Sequence, residues 1–529
     1  MVKSCYYYPK GDELMRKQKA YLMTMRIAIL SLALLVQFAV IIAMLIYFND
    51  YFEFFYIFNI VIGVALAILI VNEDSNPAYK LAWVVPILAL PLFGIVMYLF
   101  FSKNSFGSIE QRRRVEIKDT ERKSIERGIE LYSKNTMEYL RSTDPDAALQ
   151  VQYLKKHAFA IPYRNTEVKY YPVGEVFLPD FLNDLRSAKK FIFLEYFIIC
   201  EGKLWSSVLE ILTQKVKDGV DVRIIYDDVG SIMKLPGGYE KQLQKLGIKC
   251  RVFSPAAPVL SPRLNNRDHR KIAVIDGNIA YTGGINLSDE YANIISRFGH
   301  WKDNAVRLYG TAAFSFTVMF ASMWDFWNSD NMELEAFLPS IESEPGVTGV
   351  VQPYSDSPLD NEPVGENVYL NIINRAKKYV YIMTPYLIIG NEMLTSLKNA
   401  AKCGVDIRII TPSIPDKKFV HATTRSYYET LIESGVRIYE YTPGFLHSKT
   451  FVSDDSIATV GSFNLDFRSL YLHFECGTLL YDTPAISDIR ADFEETFKIC
   501  HEVTAAECKK VKLITKISRI ILRTLAPLL

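Results

Sequence analysis

The chain divides by texture before any residue type is counted. Ile27 to Phe48 holds no charge and one Gln, and Phe54 to Val71 is equally uncharged. Leu81 to Phe101 is a third apolar run, carrying Pro86, Pro91 and Gly94. Each is long enough to cross a hydrocarbon core of ~30 Å, and membrane helices tolerate Pro and Gly better than soluble ones. The pattern predicts a transmembrane region over 27–101, with spans at about 27–48, 54–71 and 81–101, behind a basic segment 1–26. A cleavable leader fits poorly, because the first run is too long and lacks a small-residue cleavage site. Lys3, Lys10, Arg16, Lys17, Lys19 and Arg26 place residues 1–26 in the cytoplasm. Three full spans would then put the remainder outside, whereas Arg112, Arg113 and Arg114 favour the inside. One segment is re-entrant or one rule is overridden, so the side stays open.

Residues 102–164 are densely charged and read as a helical linker. From about Asn165 apolar strands alternate with amphipathic helices, an α/β pattern. That pattern occurs twice. AKKFIFLEYF (188–197) matches AKKYVYIMTPYL (376–387), KDGVDVRII (217–225) matches KCGVDIRII (402–410), and LGIKCRVF (246–253) resembles ESGVRIYEY (433–441). An offset near 180 residues is far too long for a solenoid and implies two copies of one α/β domain, 165–340 and 341–508. Helices are expected at Leu204 to Lys217 and Glu392 to Lys402. The remainder, 509–529, alternates Lys/Arg with apolar residues at helical spacing, as an interfacial helix or one docked on the core would.

Composition narrows the function. Of 529 residues, 60 are Lys or Arg and 59 Asp or Glu, so no basic field draws the chain to nucleic acid. Gly (26) and Pro (23) are ordinary, which excludes collagen and low-complexity disorder. Seven scattered cysteines without a CxxC give neither a disulfide framework nor a zinc site.

The chemistry sits where each repeat ends. HRKIAVIDGNIAYTGGIN (269–286) and HSKTFVSDDSIATVGSFN (447–464) both obey H-x-K-x4-D-x6-G-[GS]-x-N. Each reads as a β-hairpin turning at Asp-Gly or Asp-Asp. Residues i and i+2 share a strand face, so His269 projects with Lys271 and His447 with Lys449. A cation beside an imidazole suits an anionic phosphate: the Lys binds oxygens while the imidazole attacks or moves a proton. Asp276 and Asp454 complete the candidate catalytic set, but their odd parity near the turn points to a supporting role. Gly283, Gly284, Gly461 and Ser462 allow close backbone approach, and Asn286 and Asn464 can donate to phosphate oxygens. His157, His300, His421, His473 and His501 lack a comparable setting; of these, His300 and His473, close to downstream carboxylates, are the runner-up functional candidates, against a reading as surface or core filler.

The paired motif resembles that of the phospholipase D superfamily. Together with SNPAYKLAWVVPILALPLFG (75–94), EYFII, HWKD (300–303), VQPYSDSP (351–358), MTPYLI, GSFNLDFRS and LAPLL, the arrangement resembles the bacterial cardiolipin synthases from Asn76 to Leu529. The resemblance implies an α/β fold of two phospholipase D-type domains about a pseudo-twofold axis, behind N-terminal transmembrane helices. It further implies a multi-pass enzyme of the cell membrane that joins two phosphatidylglycerol molecules into cardiolipin and glycerol through a phosphatidyl-histidine. The nucleophile is usually the first-motif His, here His269, although the pseudo-symmetry leaves the choice open. Asp303 (in HWKD) and Glu475 (in LHFECG) would orient the imidazoles, each behind the motif His that it follows by about 30 residues. No cofactor or metal is implied: two lysines supply the charge, and no metal ligands cluster along the sequence. The partners are phospholipid and bilayer, without nucleic acid, and oligomeric state is not addressed. Other readings share the motifs: a membrane-bound phospholipase D-type hydrolase releasing phosphatidic acid, a nuclease, which the apolar spans disfavour, and a scaffold with a degenerate enzyme domain, which two intact motifs disfavour.

Overall fold

A computed structural model describes residues 49–73, 76–101, 135–255, 266–326, 332–340, 346–524 and 526–528, with scattered positions at 31–47 and at 128, 132 and 133. The expected span 27–48 and the first part of the linker therefore lie largely outside the described residues.

The first half contains β1 (Thr166–Tyr171), β2 (Phe191–Tyr196), β3 (Asp221–Asp227), β4 (Lys249–Phe253), β5 (Arg267–Asp268), β6 (Lys271–Ile275), β7 (Ile279–Gly283), β8 (His300–Lys302) and β9 (Ala305–Gly310). The second contains β10 (Val350–Asp356), β11 (Tyr379–Met383), β12 (Leu387–Ile388), β13 (Asp406–Pro412), β14 (Arg437–Tyr441), β15 (Gly444–Leu446), β16 (Thr450–Ser453), β17 (Ile457–Gly461), β18 (Leu465–Asp466), β19 (His473–Tyr481) and β20 (Cys500–Val503). The sheet orders are β1-β9-β7-β6-β2-β3-β4 and β10-β19-β17-β16-β11-β13-β14-β20. Strand for strand they agree, with β20 added at one edge. In both, three parallel strands follow an antiparallel meander.

The central strands FIFLEY and YVYIM are buried on both faces, as strands between two layers must be. Phe193, Ile272 and Val274 point into a core shared with Met383, Val452 and Val460 of the other half. Ile192 and Leu194 point the other way, onto the helices of their own half. The helix Lys203–Lys217 offers Leu204, Trp205, Val208, Ile211 and Leu212 to that outer core, one stripe at helical spacing. The helix Ala313–Asp325 is apolar all round, and accordingly lies in the shared core.

Two short pairings tie the halves together: β5 runs beside β19, and β8 beside β15. Each half thus lends a strand segment to the other where the motifs lie.

At the front, one described helix, Asn49–Asn72, is long and apolar enough to cross a membrane. The run 81–101 is not a single span. It divides between the helices Pro77–Ala89 and Pro91–Phe101, broken at Leu90 (φ −138°, ψ 73°). Pro91 causes the break, because a residue before proline is driven out of the helical region. Gly94 then packs so tightly on Ile87 that an added Cβ would stand 2.5 Å from its Cα. Trp83 meets Tyr98 edge-on at 5.7 Å, and Tyr98 donates to Glu73 at 2.9 Å. The segment is a hairpin that returns to the face at which it began, so three spans over 27–101 are not what the described residues show.

This hairpin sits on the second half. Asn76 Nδ2 donates to the Tyr471 hydroxyl at 2.8 Å, and Tyr79 packs edge-on against Phe467 and Tyr471. Ala526 is buried in the same cluster. The tail is likewise broken, into the helices Ala505–Lys509 and Leu513–Thr524 and a last turn Ala526–Leu528. Leu513, Ile514, Ile517, Ile520 and Ile521 are all exposed, while Arg523 covers the Tyr427 ring.

Candidate active site

The motif hairpins are β6–β7 and β16–β17, and the seam between halves positions their histidines. His269 N donates to Phe474 O at 3.0 Å, and His447 N donates to Lys302 O at 2.7 Å. Each motif His is therefore anchored on the opposite half. The carboxylates follow the same rule. His269 Nδ1 lies 2.9 Å from Glu475 Oε1, and His447 Nδ1 lies 2.6 Å from Asp303 Oδ2. The expectation that each carboxylate sits behind the motif His preceding it is thus corrected: the pairs are crossed. The strand exchange is the reason, since β19 carries Glu475 past β5, and β8 delivers Asp303 beside β15.

Glu475 is buried and also accepts the Ser462 and Ser469 hydroxyls. Ser462 therefore orients a carboxylate here instead of facing phosphate. Its counterpart Gly284 has no side chain because Asp303 fills the place, with Oδ1 2.0 Å from where a Cβ would be. The longer Glu leaves room for the Ser hydroxyl; the shorter Asp needs the bare backbone. Asn286 is buried, its Oδ1 accepting Ile198 N at 3.0 Å, and its Nδ2 has no hydrogen-bond partner among the described residues. Asn464 N donates to Ser469 Oγ at 2.9 Å, which ties the loop to the Glu475 cluster.

Asp276 and Asp454 are placed away from the imidazoles, at the hairpin turns. Asp276 accepts the backbone N–H groups of Lys189, Lys190 and Phe191 at 2.8, 2.7 and 2.9 Å. Asp454 accepts those of Lys377, Lys378 and Tyr379 at 2.7, 2.9 and 2.9 Å. Both adopt the left-handed region (φ 53°), which a short polar side chain tolerates. The recurring AKK segments and motif aspartates are two sides of one clamp, holding each hairpin to β2 or β11. These contacts hold both residues at the turns and away from the imidazoles, which fits the supporting role that their parity implied. Asp276→Asn is accordingly expected to lose about 1–3 kcal/mol, the scale of hydrogen bonds to a charged group. Thermal melting together with specific activity of the folded fraction checks this: full stability with lost activity would return Asp276 to the chemistry.

The electrostatics follow from burial. His269, Lys271, His447 and Lys449 are all buried. Burial, then Lys271, Lys449 and His447, hold His269 well below the ordinary imidazole range. Burial, then Lys449 and Lys271, do the same to His447. Burial lowers Lys271 to about 8 and Lys449 to about 7, and raises Asp303 to about 7. Lys271 folds onto its own His269 carbonyl, and Lys449 onto that of His447. The centre holds neutral imidazoles beside lysines that are short of anions. An anion bound between the lysines, such as a phosphodiester, would supply the missing charge.

A family profile described as "Cardiolipin synthase, PLD-like domain" matches residues 181–324 and 369–497. The chain belongs to this family. A second profile, "Phospholipase_D-nuclease N-terminal", matches residues 60–103, the region of the long apolar helix and hairpin. An uncharacterized protein of Streptococcus mutans is 45% identical over 460 residues, covering 87% of this chain and 98% of that protein. Cardiolipin synthase 2 of Bacillus cereus is 33% identical over 465 residues, 86% and 88% of the respective chains. The cardiolipin synthase of Alkalihalophilus pseudofirmus is 32% identical over 466 residues, 88% and 92%. Among solved structures, a phosphatidylserine synthase of Haemophilus influenzae shares the fold, with a TM-score of 0.54 and 15% identity over 72% of this chain and 97% of that one.

Sequence reasoning passed over the aromatic walls of the site, though it named His473 a runner-up candidate. Tyr291, Trp301 and Phe445 surround His447, with ring centroids at 5.4, 5.5 and 5.8 Å. Phe197 and His473 flank His269 at 4.9 and 5.4 Å. His473 also brings together a group the sequence hides: His269, His473 and Glu475 hold possible metal-ligating atoms within 4.8 Å of one another. Two neighbouring lysines oppose a divalent cation there. His300 lies elsewhere, between Tyr441 and Glu175.

Proposed function

We propose that the protein is a cardiolipin synthase, a phosphatidyltransferase that joins two phosphatidylglycerol molecules and releases glycerol. The observation that carries the reading is the crossed pair of buried His–carboxylate couples flanked by two lysines, in a chain related over most of its length to cardiolipin synthases. Lys271 and Lys449 bind the phosphodiester. One neutral imidazole attacks phosphorus as the other, which takes up a proton when the phosphodiester anion binds, gives that proton to the departing glycerol oxygen. The second imidazole then takes the proton of the incoming hydroxyl, which displaces the first. The carboxylates fix the imidazoles and stabilise their charged forms. In mixed micelles, labelled phosphatidylglycerol should give cardiolipin and glycerol in equal amounts. Phosphatidic acid as the main product would establish the hydrolase instead.

The location that fits is the cell membrane, with the catalytic halves on the cytoplasmic face. The hairpin brings the chain back to the face where Asn49–Asn72 ends, and Arg112, Arg113 and Arg114 mark that face as cytoplasmic. Cys403 is exposed on the second half and reports the side directly. In intact cells it should react with a membrane-permeant maleimide and resist an impermeant one; the reverse would put the site outside.

A further inference from the structure

The tail helix Leu513–Thr524 sits on the protein the wrong way round. A helix on a water-facing surface turns its apolar stripe inward and its charges out. Here Leu513, Ile514, Ile517, Ile520 and Ile521 all face outward, and the least exposed of them, Ile517, is 49% exposed. The half-covered positions are Thr515, Lys516, Arg519, Leu522 and Arg523, one stripe at helical spacing that holds three cations. Those cations make the contact with the second half. Lys516 Nζ lies 3.8 Å from Glu429 Oε1, Arg523 covers the Tyr427 ring at 4.4 Å, and Arg519 stands near Arg425, itself paired with Glu440. The helix is thus docked and amphipathic at once, and its docked side is the charged one.

What covers the outer face follows from charge, length and position. Five neighbouring aliphatic side chains form a patch that water disfavours. A second copy of the chain would bring two cationic helices together, since residues 509–529 hold Lys509, Lys510, Lys512, Lys516, Arg519 and Arg523 and no Asp or Glu. An anionic lipid surface meets both features: acyl chains take the aliphatic face, and long basic side chains at its edges reach the phosphates. The helix has 12 residues and extends ~18 Å, short of a ~30 Å hydrocarbon core, so it lies along the surface and does not cross it. Its place in the fold agrees. The turn Ala526–Leu528 that follows it packs on the helix Pro77–Ala89, the first arm of the hairpin that leaves Asn49–Asn72.

We infer that Leu513–Thr524 lies in the headgroup layer of the cytoplasmic leaflet with its aliphatic face in the acyl chains, and that it seats the second half on anionic phospholipid. The inference rests on the membrane location proposed above and adds the surface by which the α/β halves meet the bilayer. That surface is tied to the site. The helix packs on Lys418–Thr424, and the two residues before that element, Asp416 and Lys417, both act electrostatically on His447. Ile414 and Phe419, which bracket the pair in sequence, are exposed as well. The element joining helix to site therefore also offers apolar side chains to the outside. Seating the helix holds this edge of the site at headgroup level, where a lipid phosphodiester is found.

Probes on the full-length protein in vesicles of phosphatidylcholine and phosphatidylglycerol test this, with Cys403→Ala as the background whose signal is subtracted. A polarity-sensitive maleimide fluorophore at Ile517→Cys should be quenched at least about threefold more by chain-brominated lipid than by iodide in the water. Quenching by iodide alone means a face open to water and overturns the inference. Protection from both quenchers overturns it too, because protein then covers the face: a second copy if protection fades as the protein is diluted among vesicles, another segment of this chain if it persists. A probe at Ile60→Cys, within Asn49–Asn72, separates the failures. Lipid quenching there without any at Ile517 refutes the seated helix alone, and none at either position refutes the membrane location as well. The second measurement is turnover. Ile517→Glu combined with Ile521→Glu should lower cardiolipin synthesis on these vesicles at least about fivefold and leave it within about twofold in mixed micelles, which present lipid from every side. Unchanged synthesis on vesicles, or equal loss in both systems, overturns the seating of the site.

Discussion

His269→Ala and His447→Ala are each expected to lower turnover by about 10³-fold or more while the protein stays folded, because each removes a group that reacts at phosphorus or moves a proton. Two such losses do not multiply: the double variant should be no slower than about tenfold below the worse single one, since either deletion alone breaks the cycle. The wild-type pH profile belongs to the same test. Both imidazoles are held well below their ordinary range, so they stay neutral, and nucleophilic, through the weakly acidic range. On the alkaline side Lys449 at about 7 and Lys271 at about 8 lose their protons in the empty site. The value of kcat/KM should therefore fall from about pH 7 upward, whereas kcat persists to higher pH because bound phosphate restores the lysine charge. The stability sign agrees: between the lowered folded values and the ordinary Lys range near 10.4, the unfolded chain binds protons that the folded one gives up. These lysines therefore withdraw stability as pH falls through that window, and a bound anion returns it. Residual turnover near wild type in either Ala variant would remove that His from the chemistry.

The two-domain α/β arrangement and the motif hairpins were legible in the sequence, because a strand shows its period and a repeat its register. Parity alone separated His269 and Lys271 from Asp276, and the turn clamp is the physical content of that separation. What the sequence could not show is what passes between halves. Nothing in HWKD or LHFECG says that β8 and β19 cross the seam, so the nearest upstream His seemed the natural partner for each carboxylate. His473 stood out as a runner-up candidate beside its carboxylate, but its contact with His269, 204 residues away along the chain, was not legible for the same reason. The apolar run 81–101 misled differently: hydropathy measures a segment's length, whereas the break depends on Pro91 acting on Leu90 alone.

The crossed pairing predicts which imidazole each carboxylate serves. Asp303→Asn and Glu475→Gln preserve size but remove the charge that fixes the imidazole and stabilises its cation, an effect of about 10²–10⁴-fold on turnover. Both should depress cardiolipin synthesis to that extent. They should part when the glycerol of the substrate is replaced by p-nitrophenol, whose departure needs no proton. Glu475 acts on His269 and Asp303 on His447. The variant whose carboxylate serves the proton-carrying imidazole should release nitrophenol in a first turnover near the wild-type rate and then stall with the phosphatidyl group in place. The variant whose carboxylate serves the nucleophilic imidazole should lose the burst itself. Mapping the phosphatidyl group in the stalled enzyme tests the crossing: it should sit on His447 if Glu475→Gln is the variant that stalls, or on His269 if Asp303→Asn is, whereas a pairing within each half gives the opposite histidine in either case.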